Sequence, residues 1–128
     1  MKTRFFIYAA LLGSLLIIPF LTNLAQGSNS QIKSYLQAGN ATALSGMFAS
    51  SVDVSINGND DTFDKSTAAQ KIQQFFQQNQ PKTFTIKHEG AAPDGSKFVI
   101  GSLGTQQSTY RVHVVIRQNS ITSISIDR

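Results

Sequence analysis

The chain has 128 residues, 41% of them hydrophobic, with 11 Lys and Arg residues against 7 Asp and Glu residues and no cysteine. This length suits one domain, since domains typically take roughly 100–200 residues. The lack of cysteine excludes disulfides, Cys-ligated metals and a lipid anchor on cysteine. The basic residues form no run, so the basic stripe typical of nucleic-acid binding is missing and no nucleic-acid partner is expected.

A hydrophobic leader opens the chain. Two basic residues precede an uncharged, largely apolar stretch over 5–21, and the small-residue site Ala25-Gln26-Gly27 follows. This order is typical of secretory signal peptides, so we predict a signal over 1–25, cleaved near 25–27. The mature protein is then periplasmic or extracellular, with no membrane contact. An uncleaved inner-membrane anchor is the alternative, because the stretch is long for a signal. It is less favoured, because Pro19 lies within the stretch and Asn23 closes it. Residues 28–128 are predicted to form a single domain.

The first half of this domain shows helical spacing twice, then strand alternation, then helical spacing again. Two short helices meet at Gly39-Asn40, and the second is predicted to carry Leu44, Met47 and Phe48 on one face. Alternating apolar residues over 52–56 predict a strand, and Asn57-Gly58 predicts a hairpin turn into a short return strand. The longest helix follows, with Asp64 or Ser66 as its cap. Its apolar stripe is Ala68, Ala69, Ile72, Phe75 and Phe76.

The last third alternates as antiparallel strands do. Phe84, Ile86 and His88 are predicted on one face of a strand, and Tyr110 begins a second alternating series that ends at Ile116. Short connections make consecutive strands neighbours, and the three helices can cover the apolar face. We therefore predict an α+β fold in which N-terminal helices pack on a strongly bent antiparallel sheet of five or six strands.

Short segments along the chain resemble a family of small exported Bacteroidota proteins of unknown function. The segments are Gly39-Asn40-Ala41, Val52-Asp53-Val54, Phe75-Phe76, Asp94-Gly95-Ser96-Lys97-Phe98, Ile100-Gly101 and Tyr110-Arg111-Val112. The resemblance implies the cone-shaped nuclear transport factor 2-like fold and an exported location. It implies no activity, because the family has no established one. The fold alone does not select a function, because it serves isomerases, cyclases, dehydratases and binding modules alike.

His88 and Tyr110 are the candidate chemical groups. Both are predicted on the helix-facing side of the sheet, where His88 is suited to act as a general base and Tyr110 to donate a hydrogen bond to an oxyanion. The alternative is structural: a histidine at the edge of the core and a tyrosine bonded to the backbone. We assign Phe76, His88 and Tyr110 to the edge of a ligand pocket. His88 and Tyr110 are only candidates for catalysis, and no residue is assigned a catalytic role.

Carboxylates do not complete this site. Asp53 is predicted to face outward and Glu89 to point away from His88, so His88 lacks an acidic partner unless a β-bulge inverts the alternation. The acidic loop over 57–64 lacks the spacing of a calcium loop and is explained by a turn and a helix cap. No metal site and no cofactor are predicted.

The outer face of the sheet is predicted to carry four basic residues. They are Lys87, Arg111, His113 and Arg117. This set suits an anionic partner, a solvated surface or a homodimer interface, and the homodimer is what the family resemblance implies.

The sequence is compatible with three functions. The first is a non-catalytic exported domain whose cone pocket or outer sheet face binds a small apolar ligand or a protein partner, since the largest apolar concavity is the usual ligand site. The second is a lyase-like or isomerase-like enzyme with His88 as base. The third is a structural domain with a filled interior that dimerises.

Overall fold

The computed structural model describes residues 27–128, and the predicted signal over 1–25 lies outside this range. Within it, Gln31–Arg128 form one compact unit. The helices are α1 (Gly27–Ala38), α2 (Ala41–Ser45) and α3 (Lys65–Gln78). The strands are β1 (Phe48–Ile56), β2 (Asn59–Asp64), β3 (Pro81–Ala91), β4 (Lys97–Thr105), β5 (Thr109–Arg117) and β6 (Ser120–Asp127). None of the helices in 27–128 is long and apolar enough to cross a bilayer.

All six strands join in one sheet, in the order β2-β1-β6-β5-β4-β3. Strands β3 to β6 pair with their sequence neighbours in antiparallel fashion, as the alternation predicts. Strands β1 and β6 pair in parallel, which the prediction of an antiparallel sheet did not include. A parallel pair needs a crossover connection, and here helix α3 with strands β3 to β5 supplies it. The α+β prediction is confirmed.

The two tight hairpins turn through residues with positive φ. Asn57 and Gly58 have φ of 50° and 86°, and Gln118 and Asn119 have φ of 50° and 64°. Positive φ at both central residues is the mark of a type I′ turn, whose twist matches that of the flanking strands. The Asn57-Gly58 prediction is confirmed, and the second turn lies one residue before the predicted Asn119-Ser120.

Helix α2 is shorter than predicted. The Asn40 side chain caps it, since its Oδ1 accepts a hydrogen bond of 3.0 Å from the Ala43 amide. The helix ends at Ser45, and Phe48 opens strand β1 opposite Ile121. The prediction that Phe48 belongs to the helix is wrong. Its spacing from Leu44 fits a helix, but the backbone at Met47 already bonds to β6 through the Ile121 amide, at 2.7 Å.

The core lies between helix α3 and one face of the sheet, here called the inner face. Helix α3 buries Ala68, Ile72, Phe75 and Phe76. Strands β4 to β6 bury every second residue along most of their lengths, including Val99, Val112 and Ile124, each of which is 0% exposed. The opposite, outer face carries the residues between them. The predicted stripe of α3 is confirmed except at Ala69, which is half-buried, and the inner series of β5 is confirmed.

Gly101 on β4 allows strand β3 to lie close to β4, with the Phe84 ring against the inner face at Gly101. A methyl group there would overlap the ring of Phe84 and would lie 2.6 Å from the Thr85 carbonyl oxygen. Phe84 is 2% exposed and fills the space that a side chain at Gly101 would need. The close approach of β3 to β4 therefore requires glycine at this position.

We predict that Gly101→Ala lowers the free energy of unfolding by about 1–3 kcal/mol, because overpacking displaces Phe84 or the β3 backbone. Gly104→Ala is the matched control on the same strand. Its methyl would meet mainly the Thr83 hydroxyl, which can rotate away, so we expect a loss below about 1 kcal/mol. Urea unfolding measures both, and equal losses would contradict the role given to Phe84.

Candidate functional site

His88 lies on the outer face of the sheet, not on the predicted inner face. In the pairing of β3 with β4, Ile86 lies opposite Gly101 and His88 opposite Ile100, so Lys87 is an extra residue. Such a β-bulge inverts the alternation of side chains beyond it. His88 is exposed, whereas Phe84 before the bulge is buried. The prediction that His88 shares the face of Phe84 is wrong for this reason.

Tyr110 is part of the core. It is 4% exposed, and its ring meets the ring of Phe75 edge to face at a centroid distance of 5.0 Å. Its hydroxyl donates a hydrogen bond of 2.9 Å to Oδ1 of Asn79, at the end of helix α3. The hydroxyl is therefore bound within the protein, as in the structural alternative, but its partner is the Asn79 side chain and not the predicted backbone group.

The side chains of His88 and Tyr110 leave the sheet on opposite faces. His88 is the cross-strand partner of Ile100, which in turn pairs with His113. Tyr110 is the cross-strand partner of Leu103, which is 0% exposed on the inner face. Tyr110 and His113 are three residues apart on one strand, and an odd separation puts them on opposite sides. A base at His88 and a donor at Tyr110 cannot reach one small substrate together.

Phe76 lies apart from this pair. It is 5% exposed and borders a surface depression of about 360 Å³ beside Gly39, Asn40 and Pro81. That depression is at the corner between α1 and α2, against the end of α3. The structure therefore places Phe76 at a different depression from His88 and Tyr110.

A second depression is lined by His88, Tyr110 and further residues from three strands. It has a volume of about 440 Å³, and we call it the β3–β5 concavity. Its lining is Lys87, His88, Ile100, Gly101, Ser102, Thr109, Tyr110, Arg111 and Arg128. Strand alternation places Ile100, Ser102 and Arg111 on the outer face. The sequence analysis did not find Ile100, Ser102 or Arg128 as site residues.

The charge at this concavity is of one sign. Lys87, Arg111 and Arg128 line it, and no Asp or Glu side chain does. The Arg128 guanidinium lies 5.9 Å from the centre of the Tyr110 ring, within the range of a cation–π contact. Three cationic side chains in a partly apolar depression raise the local potential and attract anions.

Arg117, which the sequence places with these cations, is engaged elsewhere. Its Nη2 lies 3.3 Å from Oδ2 of Asp94 at the other end of the sheet. The Ser96 hydroxyl and amide donate to Asp94 Oδ1 at 2.6 and 3.0 Å. The pKa of Asp94 is lowered first by the Ser96 hydroxyl, then by the Ser96 amide, and also by Arg117. His113 is half-buried against the Phe98 ring.

The acidic loop does not gather its oxygens at one point. Asp60 lies opposite Ser55 and Asp61 opposite Val54, so the two side chains leave β2 on different faces. Asp53 faces outward, as predicted, and accepts a hydrogen bond of 2.6 Å from the Thr62 hydroxyl. Among residues 27–128, no three His, Asp or Glu side chains form a group that could hold a metal ion.

The two candidate residues differ in their effect on stability. We predict that Tyr110→Phe lowers the free energy of unfolding by about 1–2 kcal/mol, because it leaves the Asn79 oxygen without its donor. His88→Ala, an exposed position, should change the free energy by less than about 0.5 kcal/mol. Urea unfolding of both variants tests this, and a larger loss for His88→Ala would refute the placement of His88.

The fold of this chain is similar to the folds of several solved structures. An NTF2-like protein of unknown function from Cytophaga hutchinsonii superposes with a TM-score of 0.58 at 9% identity, over 79% of this chain and 86% of that chain. At this identity the match shows the fold alone, and it confirms the predicted nuclear transport factor 2-like fold. No curated protein matches the sequence significantly.

Two crystal structures are more similar in sequence. A DUF4783 family protein from Bacteroides uniformis is 31% identical, with a TM-score of 0.72 over 77% of this chain and 94% of that chain. One from Bacteroides ovatus is 30% identical, with a TM-score of 0.71 over 77% and 92%. The profile of the domain of unknown function DUF4783 matches residues 29–127. Since that match spans most of the chain, this protein belongs to the DUF4783 family.

Proposed function

We propose that this protein is an exported, non-catalytic binding domain that recognises its ligand at the β3–β5 concavity. One observation carries the proposal: the concavity joins an apolar floor at Ile100 to cationic side chains at its rim. Pockets that combine apolar walls with a few placed polar groups are the usual form of ligand sites. The leader over 1–25 is the basis for export.

The packing under the sheet supports a site on the outer face. Phe75, Tyr110 and Leu103 occupy the space between α3 and the sheet, and each is at most 5% exposed. The Tyr110 hydroxyl is already bound to Asn79. The separation of His88 from Tyr110 on opposite faces of the sheet favours binding over the enzyme hypothesis, because the base and the hydrogen-bond donor of that hypothesis cannot reach one small substrate.

The sheet edges are poor places for a partner strand. Strand β3 begins with Pro81, which has no amide hydrogen, continues with Lys82, and is interrupted at Lys87 by the bulge. Strand β2, at the other edge, has six residues and carries Asp60, Asp61 and Asp64. Proline, charge, bulges and short length all block edge-to-edge pairing. Recognition through the face is therefore favoured over strand addition.

Ser102→Trp tests the location of the site. Ser102 is half-buried on the outer face between Thr85 and Arg111, so a tryptophan there fills the concavity without entering the core. Ser123→Trp, on the outer face of β6, is the matched control. We expect native mass spectrometry of the protein from the envelope of its host to show a bound small molecule in wild type and Ser123→Trp, but not in Ser102→Trp.

Retention of the bound molecule in Ser102→Trp would place the site elsewhere, and an unliganded wild type would count against a small-molecule function. The same spectrum gives the mature mass. A chain that begins between residues 26 and 28 is what the predicted cleavage requires, and a full-length mass would favour the anchor alternative.

A second candidate is a homodimer, favoured by how charge divides over the outer face. Strands β1 and β2 present Asp53 and Asp60 there, whereas β3 and β5 present His88 and Arg111. The sheet order puts three strands on each side of a line between β6 and β5. A two-fold axis along that line lays the acidic half of one copy on the basic half of the other.

In this arrangement Asp127 of one copy faces Arg111 of the second copy. We predict that Arg111→Glu raises the dissociation constant of the dimer at least about tenfold, because like charges then face each other. The double variant Arg111→Glu with Asp127→Lys should restore the wild-type value. Sedimentation equilibrium measures all three proteins, and a monomeric wild type at high protein concentration would rule this candidate out.

A further inference from the structure

We infer that the ligand of the β3–β5 concavity is a small organic anion: a carboxylate, sulfonate or phosphate group on an apolar body. This inference rests on the location proposed above and adds the chemical class of the ligand. It needs both halves of the site, namely charge at the rim and hydrocarbon at the floor.

The cationic half comes from three separate parts of the chain. Lys87 is at the bulge of β3, Arg111 is on β5 and Arg128 follows β6. All three are exposed, so their aliphatic parts can line the depression. The Arg128 guanidinium contacts the Tyr110 ring, and its Nη1 donates a hydrogen bond of 3.5 Å to the Ser108 hydroxyl oxygen. Lys87 and Arg111 are therefore the cations best placed to meet a ligand. Arginine donates paired hydrogen bonds that match a carboxylate or phosphate.

The nearby carboxylates do not line the concavity. Asp127 is the cross-strand neighbour of Arg111 and keeps its negative charge while its Oδ2 accepts a hydrogen bond of 2.8 Å from the Ser125 hydroxyl, but it lies outside the lining, in which three cations stand. Asp94 pairs with Arg117 at the other end of the sheet. Asp53 and Asp60 lie on β1 and β2. The positive potential at the concavity is thus not cancelled by an acidic side chain in its lining.

The apolar half is the floor. Ile100 is half-buried there, and its side chain supplies the apolar surface of the depression. The hydroxyls of Ser102 and Thr109 lie in the same lining and can donate to an anionic oxygen. The volume of about 440 Å³ is within the range of roughly 300–1,000 Å³ typical of small-molecule sites. An inorganic anion would leave the floor unused.

The test compares two fluorescent probes that share an aromatic body. Anilinonaphthalene sulfonate carries an anionic group, and N-phenylnaphthylamine carries none. We expect the mature protein to bind the sulfonate at least about tenfold more tightly, and Arg111→Gln to weaken only the sulfonate by about tenfold, the value of one charge-assisted hydrogen bond. Lys82→Gln, on β3 but outside the lining, is the control and should bind both probes as wild type does.

The outcomes separate the two proposals. If both probes bind equally and Ser102→Trp removes both, the location holds and the anionic class is wrong. If neither probe responds to Ser102→Trp, the location is wrong as well. Sulfonate binding that is unchanged in Arg111→Gln and in Lys87→Gln would also overturn the inference. Urea midpoints equal to wild type show that the charge variants are folded, since both positions are exposed.

Discussion

The packing of Phe84 under Gly101 sets the geometry on which the rest of the sheet depends. Because residue 101 has no side chain, β3 can lie close to β4 with the Phe84 ring in the core. The strand then reaches the pair of Ile86 with Gly101, and the bulge at Lys87 follows at once. Beyond the bulge the strand continues with its faces exchanged. One close contact and one extra residue therefore decide which side chains face the helices and which face outward.

This exchange separates the two residues that the sequence suggests for chemistry. Tyr110 stays inside, where its hydroxyl is bonded to Asn79 and its ring to Phe75. His88 moves to the outer face, beside Lys87 and Arg111. An enzyme of this fold that worked from the inner face would need unbound polar groups there. The inner face beside Tyr110 is closed by aromatic and aliphatic side chains, so the concavity that His88 lines opens on the other side.

Alternation predicts the fold well where each strand is regular. It places Tyr110 and Val112 on the inner face and Asp53 outward, and the element order then follows from short connections. It fails at His88, because a bulge adds a residue without a distinctive sequence mark. It fails at Phe48, whose helical spacing from Leu44 competes with pairing to Ile121, a residue far away in sequence. Long-range pairing decides such cases, and local pattern does not contain it.

The concavity could be anticipated only in part, for the same physical reason. Alternation puts Arg111 on the outer face, so a cationic patch is predictable. The depression itself arises where β3 shifts register against β4 and where Arg128 reaches across to Tyr110, and neither contact is local in sequence. A site that depends on strand register and on the packing of Arg128 against Tyr110 changes when one residue is inserted or lost. Within a fold that serves many functions, such a change can move recognition from one face of the sheet to the other while the core stays the same.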